Sequence, residues 1–397
     1  MGRLAIVMNM LAPYWVDVFD GLAERGWEIR VIVGLEKEAA CKYDMNDVRL
    51  HGFSVKRCAN LVLDLNRLPG KSGYLHFPYG LWQELRAWKP DVIVTSELGM
   101  RTLIGKIYGS MHAVPVIPWA CLSPHTERNN SRLRERFRRW LLEGAPAVCT
   151  NMSEASCYLV GSLKVPAGKI FQTPYTVDVE KYHERVEAFR FGAAGLRNEL
   201  GLSGAVFLYV GQMTSRKGLA ELARGIITLP SSYRSRSSFL FIGGEIPPHV
   251  REMLDQSGIR YVGIPFVQPG ELPRYYALAD AFVFPSLEDE WGIVLNEAAA
   301  AGIPLAASRF ASATAELVKH GHNGLVFHPH DPGEIARTLA EIIDLPDLKR
   351  KAWGANSVEA AGRIGLHFTI NNLDAAIRSA LAGSGNLHSV MRNGKER

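Results

Sequence analysis

No run of about 18 apolar residues occurs anywhere in the 397-residue chain, so no segment is suited to cross a membrane as a helix. Leu4 to Met10 is apolar but has only the length of a strand, which argues against a secretory leader. The five cysteines, Cys41, Cys58, Cys121, Cys149 and Cys157, form no Cys-x-x-Cys pair and no His-paired set with metal spacing. An odd number without pattern predicts reduced thiols in the cytosol rather than a disulfide framework. The loop after the first apolar run, Asn9 to Tyr14, lacks G-x-G-x-x-G, so no dinucleotide site is expected there. No Asp-x-Asp pair falls in a metal-binding context, and no internal repeat or low-complexity block is present. A net charge of +5 is too slight to indicate nucleic acid as a partner.

What is present is ordinary for a globular enzyme: 47% hydrophobic and 21% charged residues. The length suits two domains. Leu4 to Met8 reads as a buried strand, Val16 to Arg25 as an amphipathic helix ended by Gly26, and Glu28 to Val33 as the next strand. This β-α-β opening predicts a parallel, doubly wound sheet. The alternation continues through Trp82 to Trp88 (helix), Asp91 to Thr95, Val114 to Trp119 and Ala145 to Asn151 (strands), and Ser153 to Val160 (helix). It resumes with strands at Ala205 to Val210, Phe239 to Gly243 and Tyr261 onward. Residues 179 to 203 are polar, charged and Gly-containing, and read as the linker between the two domains.

The most informative stretch is Ala281 to Ser308, AFVFPSLEDEWGIVLNEAAAAGIPLAAS. A short apolar strand ends at Phe284, and a Pro-Ser break follows. Three consecutive acids come next, Glu288, Asp289 and Glu290. Trp291-Gly292 then leads into an Ala-rich helix that Gly302 and Pro304 stop. The loop therefore lies at the C-terminal end of a strand, the edge where open parallel sheets bind ligands. Backbone N–H groups of Trp291, Gly292, Ile293 and Val294 fall in the first turn, where unpaired donors and the helix dipole favour an anion such as phosphate. Carboxylates beside a phosphate repel it, so they are better aimed at hydroxyls. Asp289 before the helix and Glu297 inside it suit a ligand with a diphosphate centre and hydroxylated rings at both ends, which is the shape of a nucleotide sugar. Capping and dipole complementarity account for Glu288 and Glu290. They do not account for Glu297, an acid in an otherwise apolar helix.

The pattern P-S-x-x-[ED]-x-[FW]-G-x-x-x-x-E-A-x-A-x-G-x-P, carried here by Pro285 to Pro304, resembles the signature of retaining glycosyltransferases of family 4 (glycosyl transferases group 1). The family's paired acids fall on Asp289 and Glu297, with seven residues between them. Its first acid is more often Glu, so a register using Glu288 or Glu290 stays open. Two further segments resemble the family: Gly211-Gln-Met-Thr-Ser-Arg-Lys-Gly218, whose Arg216 and Lys217 match its diphosphate-binding pair, and Lys169 to Asp178, where Tyr175 stands in place of the usual Asn. The likeness is strong over 205 to 327 and weak over 1 to 175.

The resemblance implies an α/β GT-B fold, with two Rossmann-like doubly wound domains facing across a cleft that closes on the donor. The expected boundaries are 1–180 for an acceptor-binding domain and 181–365 for a donor-binding domain. A helix over 366–383 is expected to cross back to the first domain, with a disordered tail over 384–397. It implies transfer of a sugar from a nucleoside diphosphate sugar (UDP or GDP) to a hydroxyl acceptor, with retention, without cofactor and without metal. In this reading Arg216 and Lys217 hold the diphosphate, Asp289 the sugar hydroxyls and Glu297 the ribose. Gly211, Gly243, Val262, Gly263 and Glu290 complete the donor side, with Trp291 to Val294. His125, in the loop Ala120 to Asn130, corresponds to a His that reaches the donor sugar in relatives, though a His in a polar loop is as often simply exposed. Asn9, Pro13, Tyr14 and Glu97 fall on the acceptor side. Pro13 equally suits a plain helix start, and Glu97 a solvated loop acid.

The segment Arg132 to Leu142, RLRERFRRWLL, is a basic amphipathic helix. It suits either an anionic membrane surface or a solvated basic face; relatives acting on lipid-linked acceptors favour the first, at the inner face of the cell membrane. Rival functions on the same layout are a GT-B epimerase, a phosphorylase and a non-catalytic sugar-nucleotide-binding protein. A phosphorylase would require a pyridoxal-binding Lys and a longer chain. The intact set Asp289, Glu297, Arg216 and Lys217 argues against a non-catalytic role.

Overall fold

The computed structural model describes residues 2–34, 50–64, 74–122, 124–127 and 131–383. Cys41, the tail 384–397 and part of the Ala120 to Asn130 loop lie outside them. The chain divides into two compact units, Met1–Tyr175 with His367–Arg397, and Thr176–Leu366.

The first unit is built on a parallel sheet of seven strands. In spatial order they are Phe53–Arg57, Glu28–Val33, Arg3–Met8, Val92–Ser96, Val116–Ala120, Val148–Thr150 and Ile170–Gln172. The central strand pairs on both sides, with Leu4 opposite Ile29 and opposite Val92. Leu4 to Val7 are therefore covered on both faces and almost wholly buried, which is why these strands read as unbroken apolar runs. An antiparallel hairpin, Leu61–Asp64 with Tyr74–Phe77, stands outside this sheet. The last helix, Leu366–Gly383, packs in this unit: Thr369 Oγ1 donates to Pro174 O at 2.9 Å. The Trp27 indole donates to Asp374 at 2.7 Å.

The second unit carries a parallel sheet of six strands in the order Arg260–Ile264, Ser237–Ile242, Ala205–Val210, Ala281–Phe284, Leu305–Ser308 and Gly324–Phe327. Numbered along this unit, the order is 3-2-1-4-5-6, the Rossmann arrangement. Strand order reverses between Ala205–Val210 and Ala281–Phe284, which pair in parallel through Phe207 and Ala281. A Phe-rich core fills one face of the sheet, with Phe207, Phe239 and Phe241 stacked in sequence at 5.0 and 6.0 Å.

The stretch read as a linker differs. Residues 179–203 hold two helices, Val179–Arg190 and Ala193–Glu199, both within the second unit. Asp178 caps the first by accepting from Lys181 N at 3.2 Å. Arg190 then donates to Ala301 O at 2.8 Å, and Arg197 to Leu278 O at 2.8 Å. Charged side chains thus reach helix-end carbonyls, so a polar composition concealed packed structure.

Asp374 tests the attachment of the last helix. It is nearly buried and accepts from Trp27, Arg25 and Arg378. Asp374→Ala would orphan the buried indole N–H. It should lower stability by about 1–3 kcal/mol, read as a reduced urea midpoint by tryptophan fluorescence, while Asp374→Asn, which still accepts from the indole, should lose less.

Candidate active site

Two loops meet at the reversal point of the second sheet, one after each of the paired strands. The first follows Val210 and contains the 3-10 turn Ser215–Lys217. The second follows Phe284. Backbone hydrogen bonding joins them: Leu287 N donates to Arg216 O at 2.9 Å, and Ser286 Oγ to the same oxygen at 3.4 Å. Gly218, at φ +70°, closes the join, because a Cβ there would lie 2.0 Å from Pro285 O. No other residue type fits this approach.

The join places the cations on the acids. Arg216 Nη1 donates to Glu288 O at 2.8 Å. The Lys217 ammonium forms an ion pair and hydrogen bond with the Asp289 carboxylate and lies 5.6 Å from the centre of the Phe284 ring. Burial holds the Lys217 pKa below its ordinary value, although the Asp289 charge pulls it back up. Of the three consecutive acids, Asp289 is the one turned onto Lys217, and Glu290 is exposed. Asp289 is fixed from behind as well, since its carbonyl accepts from Ser312 N and its amide donates to Phe310 O, both at 3.4 Å.

The helix after this loop is Ile293–Ala300, with Gly292 at φ +93° as its N-cap. Trp291 is outside the helix, which corrects one sequence expectation. Its backbone N–H donates to Asp289 Oδ1 at 3.4 Å, its indole donates to Asn296 Oδ1 at 2.8 Å, and its ring is buried. It is a packing residue that positions Asp289. The N–H groups of Gly292, Ile293 and Val294 remain as the first-turn donors.

Glu297 sits in the second turn and is largely covered. Its carboxylate accepts from Tyr276 at 3.0 Å. Burial pushes its pKa from 4.5 up to about 7, against the opposing effect of the Tyr276 hydroxyl. The Tyr182 hydroxyl is buried nearby without a partner, with its ring 5.8 Å from that of Tyr276. Neither tyrosine was legible in the sequence: Tyr276 lies 21 residues before Glu297 and Tyr182 lies in the stretch read as linker. Its raised pKa near the C-terminal edge of a parallel sheet makes Glu297 a candidate functional residue. Gly211 and Gly243 lie at the same edge, where Gly211 N donates to Ile242 O at 2.9 Å and Gly243 N to Ile264 O at 3.2 Å. Val262 and Gly263 fall inside the edge strand Arg260–Ile264, where Gly263 is exposed.

In the first unit, Asn9 and Glu97 lie after the strands that flank the corresponding reversal point, and one side chain joins them. Arg101 donates to Asn9 Oδ1 at 2.6 Å and to Glu97 Oε2 at 2.7 Å. Arg101 is 2% exposed, and sequence reading did not single it out. Glu97 has φ +70°, an uncommon conformation for its type that occurs often at functional sites. Pro13 starts the 3-10 turn Pro13–Trp15, and Tyr14 packs against Tyr175 at 5.4 Å. His125 lies on the single turn Pro124–Glu127 and is half-buried. Among the described residues no cluster of three His, Cys, Asp or Glu is arranged to hold a metal, and no helix is long and apolar enough to cross a membrane.

Comparison with known proteins agrees with this architecture. Residues 204–344 match the family model described as glycosyl transferases group 1, and residues 11–176 that of a glycosyl transferase 4-like domain. A D-inositol 3-phosphate glycosyltransferase of Catenulispora acidiphila is 27% identical over 237 residues, 57% of this chain and 54% of that protein. The chain spans about half the length of the first curated relatives it matches. The alpha-monoglucosyldiacylglycerol synthase of Acholeplasma laidlawii is 23% identical over 84% of both chains. Among solved structures, HepE of Anabaena, crystallised with UDP and glucose, superposes with a TM-score of 0.73 at 17% identity, covering 94% of this chain and 98% of that one. The trehalose 6-phosphate synthase of Burkholderia multivorans does so with a TM-score of 0.73 at 15% identity, covering 97% and 98%. With both units matched and the strand order of each sheet in hand, the chain belongs to the family 4 glycosyltransferases, the glycosyl transferases group 1, and has the GT-B fold.

Proposed function

We propose that this protein transfers a sugar from a nucleoside diphosphate sugar to a hydroxyl acceptor, with retention at the anomeric carbon and without a metal ion. The observation that carries the reading is the convergence of Arg216 and Lys217 on Asp289 ahead of the helix that bears Glu297. HepE, with UDP and glucose bound, supports the donor class.

The diphosphate takes Arg216, Lys217 and the N–H groups of Gly292 to Val294. Negative charge grows on its oxygens as the sugar departs, so these groups stabilise the transition state more than the ground state. Without donor, Lys217 is neutralised by Asp289. A phosphate draws Lys217 away and frees Asp289 for the sugar hydroxyls, which orients the ring as it takes on oxocarbenium character. Glu297 holds the ribose hydroxyls, and His125 reaches the donor sugar. Attack comes from the face of the leaving group, and a phosphate oxygen accepts the acceptor proton. The first unit carries the acceptor through Asn9, Pro13, Tyr14 and Glu97.

The helix Arg132–Leu142 is the membrane-facing element in this reading. Leu133, Phe137 and Trp140, spaced 4 and 3 apart, are exposed and share one face. Ile107 and Met111 on the neighbouring helix are exposed too. Arg132, Arg134, Arg136 and Arg139 surround them, whereas Arg138 turns inward to pair with Glu127. Apolar wedges ringed by Arg suit an anionic bilayer, and one relative is by its name the synthase of a glycolipid, alpha-monoglucosyldiacylglycerol. The chain should sediment with vesicles containing phosphatidylglycerol and remain free of phosphatidylcholine vesicles, and Leu133→Glu with Trp140→Glu should abolish sedimentation. Equal binding of the double variant would remove this helix from the reading.

Donor hydrolysis without acceptor tests the reaction. Slow release of nucleoside diphosphate from one of a panel of UDP and GDP sugars is expected, unchanged by EDTA, with the product's anomeric configuration read by NMR. Donor binding without release would favour a non-catalytic protein. Arg216→Ala should cut turnover by roughly 10²–10³-fold. Its stability should stay within about 0.5 kcal/mol of wild type, because the side chain is exposed.

Glu297 makes a separate prediction. The folded protein keeps the Glu297 proton up to about pH 7, whereas the unfolded chain releases it near 4.5. Stability therefore falls as pH rises from 4.5 to 7, and the cost is fully present above 7. Glu297→Gln keeps the acceptor for Tyr276 and removes the ionisation. It should be more stable than wild type at pH 8 by about 2 kcal/mol and indistinguishable at pH 4, by thermal unfolding. It should lose donor affinity, whereas wild-type affinity should rise as pH passes through about 7.

A further inference from the structure

The Tyr182 hydroxyl is out of reach of solvent and has no hydrogen-bond partner. Its helix, Val179–Arg190, packs on the helix that carries Glu297. The next residue along makes that joint: His183 Nδ1 donates to Ala300 O at 2.9 Å. Arg190 closes it at Ala301 O, 2.8 Å away. Ala300 stands three residues after Glu297, so the two share a side of their helix. The ring of Tyr276 meets that of Tyr182 edge-on, with centres 5.8 Å apart, and the Tyr276 hydroxyl reaches Glu297 Oε2 at 3.0 Å. Tyr182, Tyr276 and Glu297 thus come from three helices packed together within the second unit.

The protons among these groups do not balance in both states of Glu297. Tyr276 has a single proton and two acceptors, Glu297 Oε2 and, at 3.3 Å, Val294 O. While Glu297 is protonated, it donates to the Tyr276 oxygen and Tyr276 donates to Val294 O. When Glu297 ionises, the Tyr276 proton turns to Oε2, and the carboxylate has one donor for about four acceptor positions. A covered carboxylate stays ionised only when further donors hold it. Burial pushes both tyrosine hydroxyls well above their ordinary range, so each keeps its proton to donate. After burial, the Glu297 charge is the strongest influence on Tyr182. Arg185 on the same helix is the cation that acts there, and Gly270 O holds its guanidinium. Among the described residues, no charge on the helices Ser312–Leu317 and Asp347–Arg363, which also pack on this helix, is felt at Glu297. Tyr182 therefore has a donor without an acceptor, and ionised Glu297 has acceptor positions without a donor.

We propose that Tyr182 is a positioning residue, whose hydroxyl donates to Glu297 when the ribose of the donor arrives, so that two tyrosines hold the carboxylate against the 2′- and 3′-hydroxyls. The role rests on the reading of Glu297 as the ribose contact. A ribose diol donates one proton to each carboxylate oxygen. Both oxygens are then acceptors only, and each is steadied from behind by one phenol.

Calorimetric binding of UDP and GDP to the intact chain at pH 8, beside the 2′,3′-dideoxy analogue of each, tests this. Tyr182→Phe should weaken the nucleoside diphosphate that binds by roughly tenfold. It should leave the dideoxy analogue unchanged, because the lost hydroxyl acts through the ribose hydroxyls alone. The pH at which affinity rises should move upward in Tyr182→Phe, since the ionised carboxylate loses a donor. The melting temperature of the free variant should equal or exceed that of wild type, because an unmatched buried hydroxyl is removed. Equal losses on the nucleotide and its analogue, or no loss on either, would make Tyr182 a packing residue and overturn the proposal. Glu297→Gln separates the proposal from the reading beneath it. If Glu297→Gln weakens the nucleotide and not its analogue while Tyr182→Phe weakens neither, the ribose contact stands and Tyr182 has no part in it. If neither variant tells the nucleotide from its analogue, the ribose contact and the proposal fall together.

Discussion

The direct pairing of two strands that are far apart in sequence governs the second unit. Phe207 lies opposite Ala281, so the loops that leave Val210 and Phe284 emerge side by side. The bond from Leu287 N to Arg216 O then locks one loop to the other. Everything chemical follows from that lock. Lys217 cannot avoid Asp289, Arg216 reaches the backbone of Glu288, and the helix start lies next to both. A cation, a carboxylate and unpaired N–H groups are set at one point by backbone hydrogen bonds, so little ordering is left for the ligand to impose.

The parallel strands were legible because burial on both faces leaves no polar alternation. Ala205–Val210 and Ala281–Phe284 match their apolar runs to the residue, and Glu28–Val33, despite Glu28 and Arg30, keeps the bounds read from the sequence. The paired cations and acids were legible for another reason: each lies in a short loop bounded by Gly or Pro, where sequence distance and spatial distance nearly coincide. Where the two distances part, the reading failed. The helices within 179–203 look polar because their charged side chains end on carbonyls of distant turns. Trp291 looked like a ligand contact because its backbone is next to the helix start. Its ring, however, is spent on Asn296 and the core.

Arg101 shows the limit most clearly. Arginines are rarely buried, so one in the first turn of a helix reads as solvated. Only the fold reveals that the ends of four strands surround it. The same applies to Tyr276 and Tyr182, whose hydroxyls acquire meaning only once Glu297 is placed beside them.

Both units are left with unresolved costs at the same structural position. In the second, Glu297 is held where ionisation is unfavourable, and Lys217 is held where its charge is penalised by burial. In the first, Arg101, Asn60 and His76 keep unmatched atoms out of water. A sequence selected for stability alone would place apolar side chains at these points, as it does over most of each sheet. Other buried polar atoms are unmatched too, at Trp88, Arg274 and Arg350 among others, but Glu297 and Lys217 lie beside a helix start. On the proposed reading this cost has a use: groups that are poorly solvated in the protein gain most when a charged or hydroxylated ligand reaches them. On that reading, the stability forgone at Glu297 is recovered as affinity by a donor whose hydroxyls complete its carboxylate.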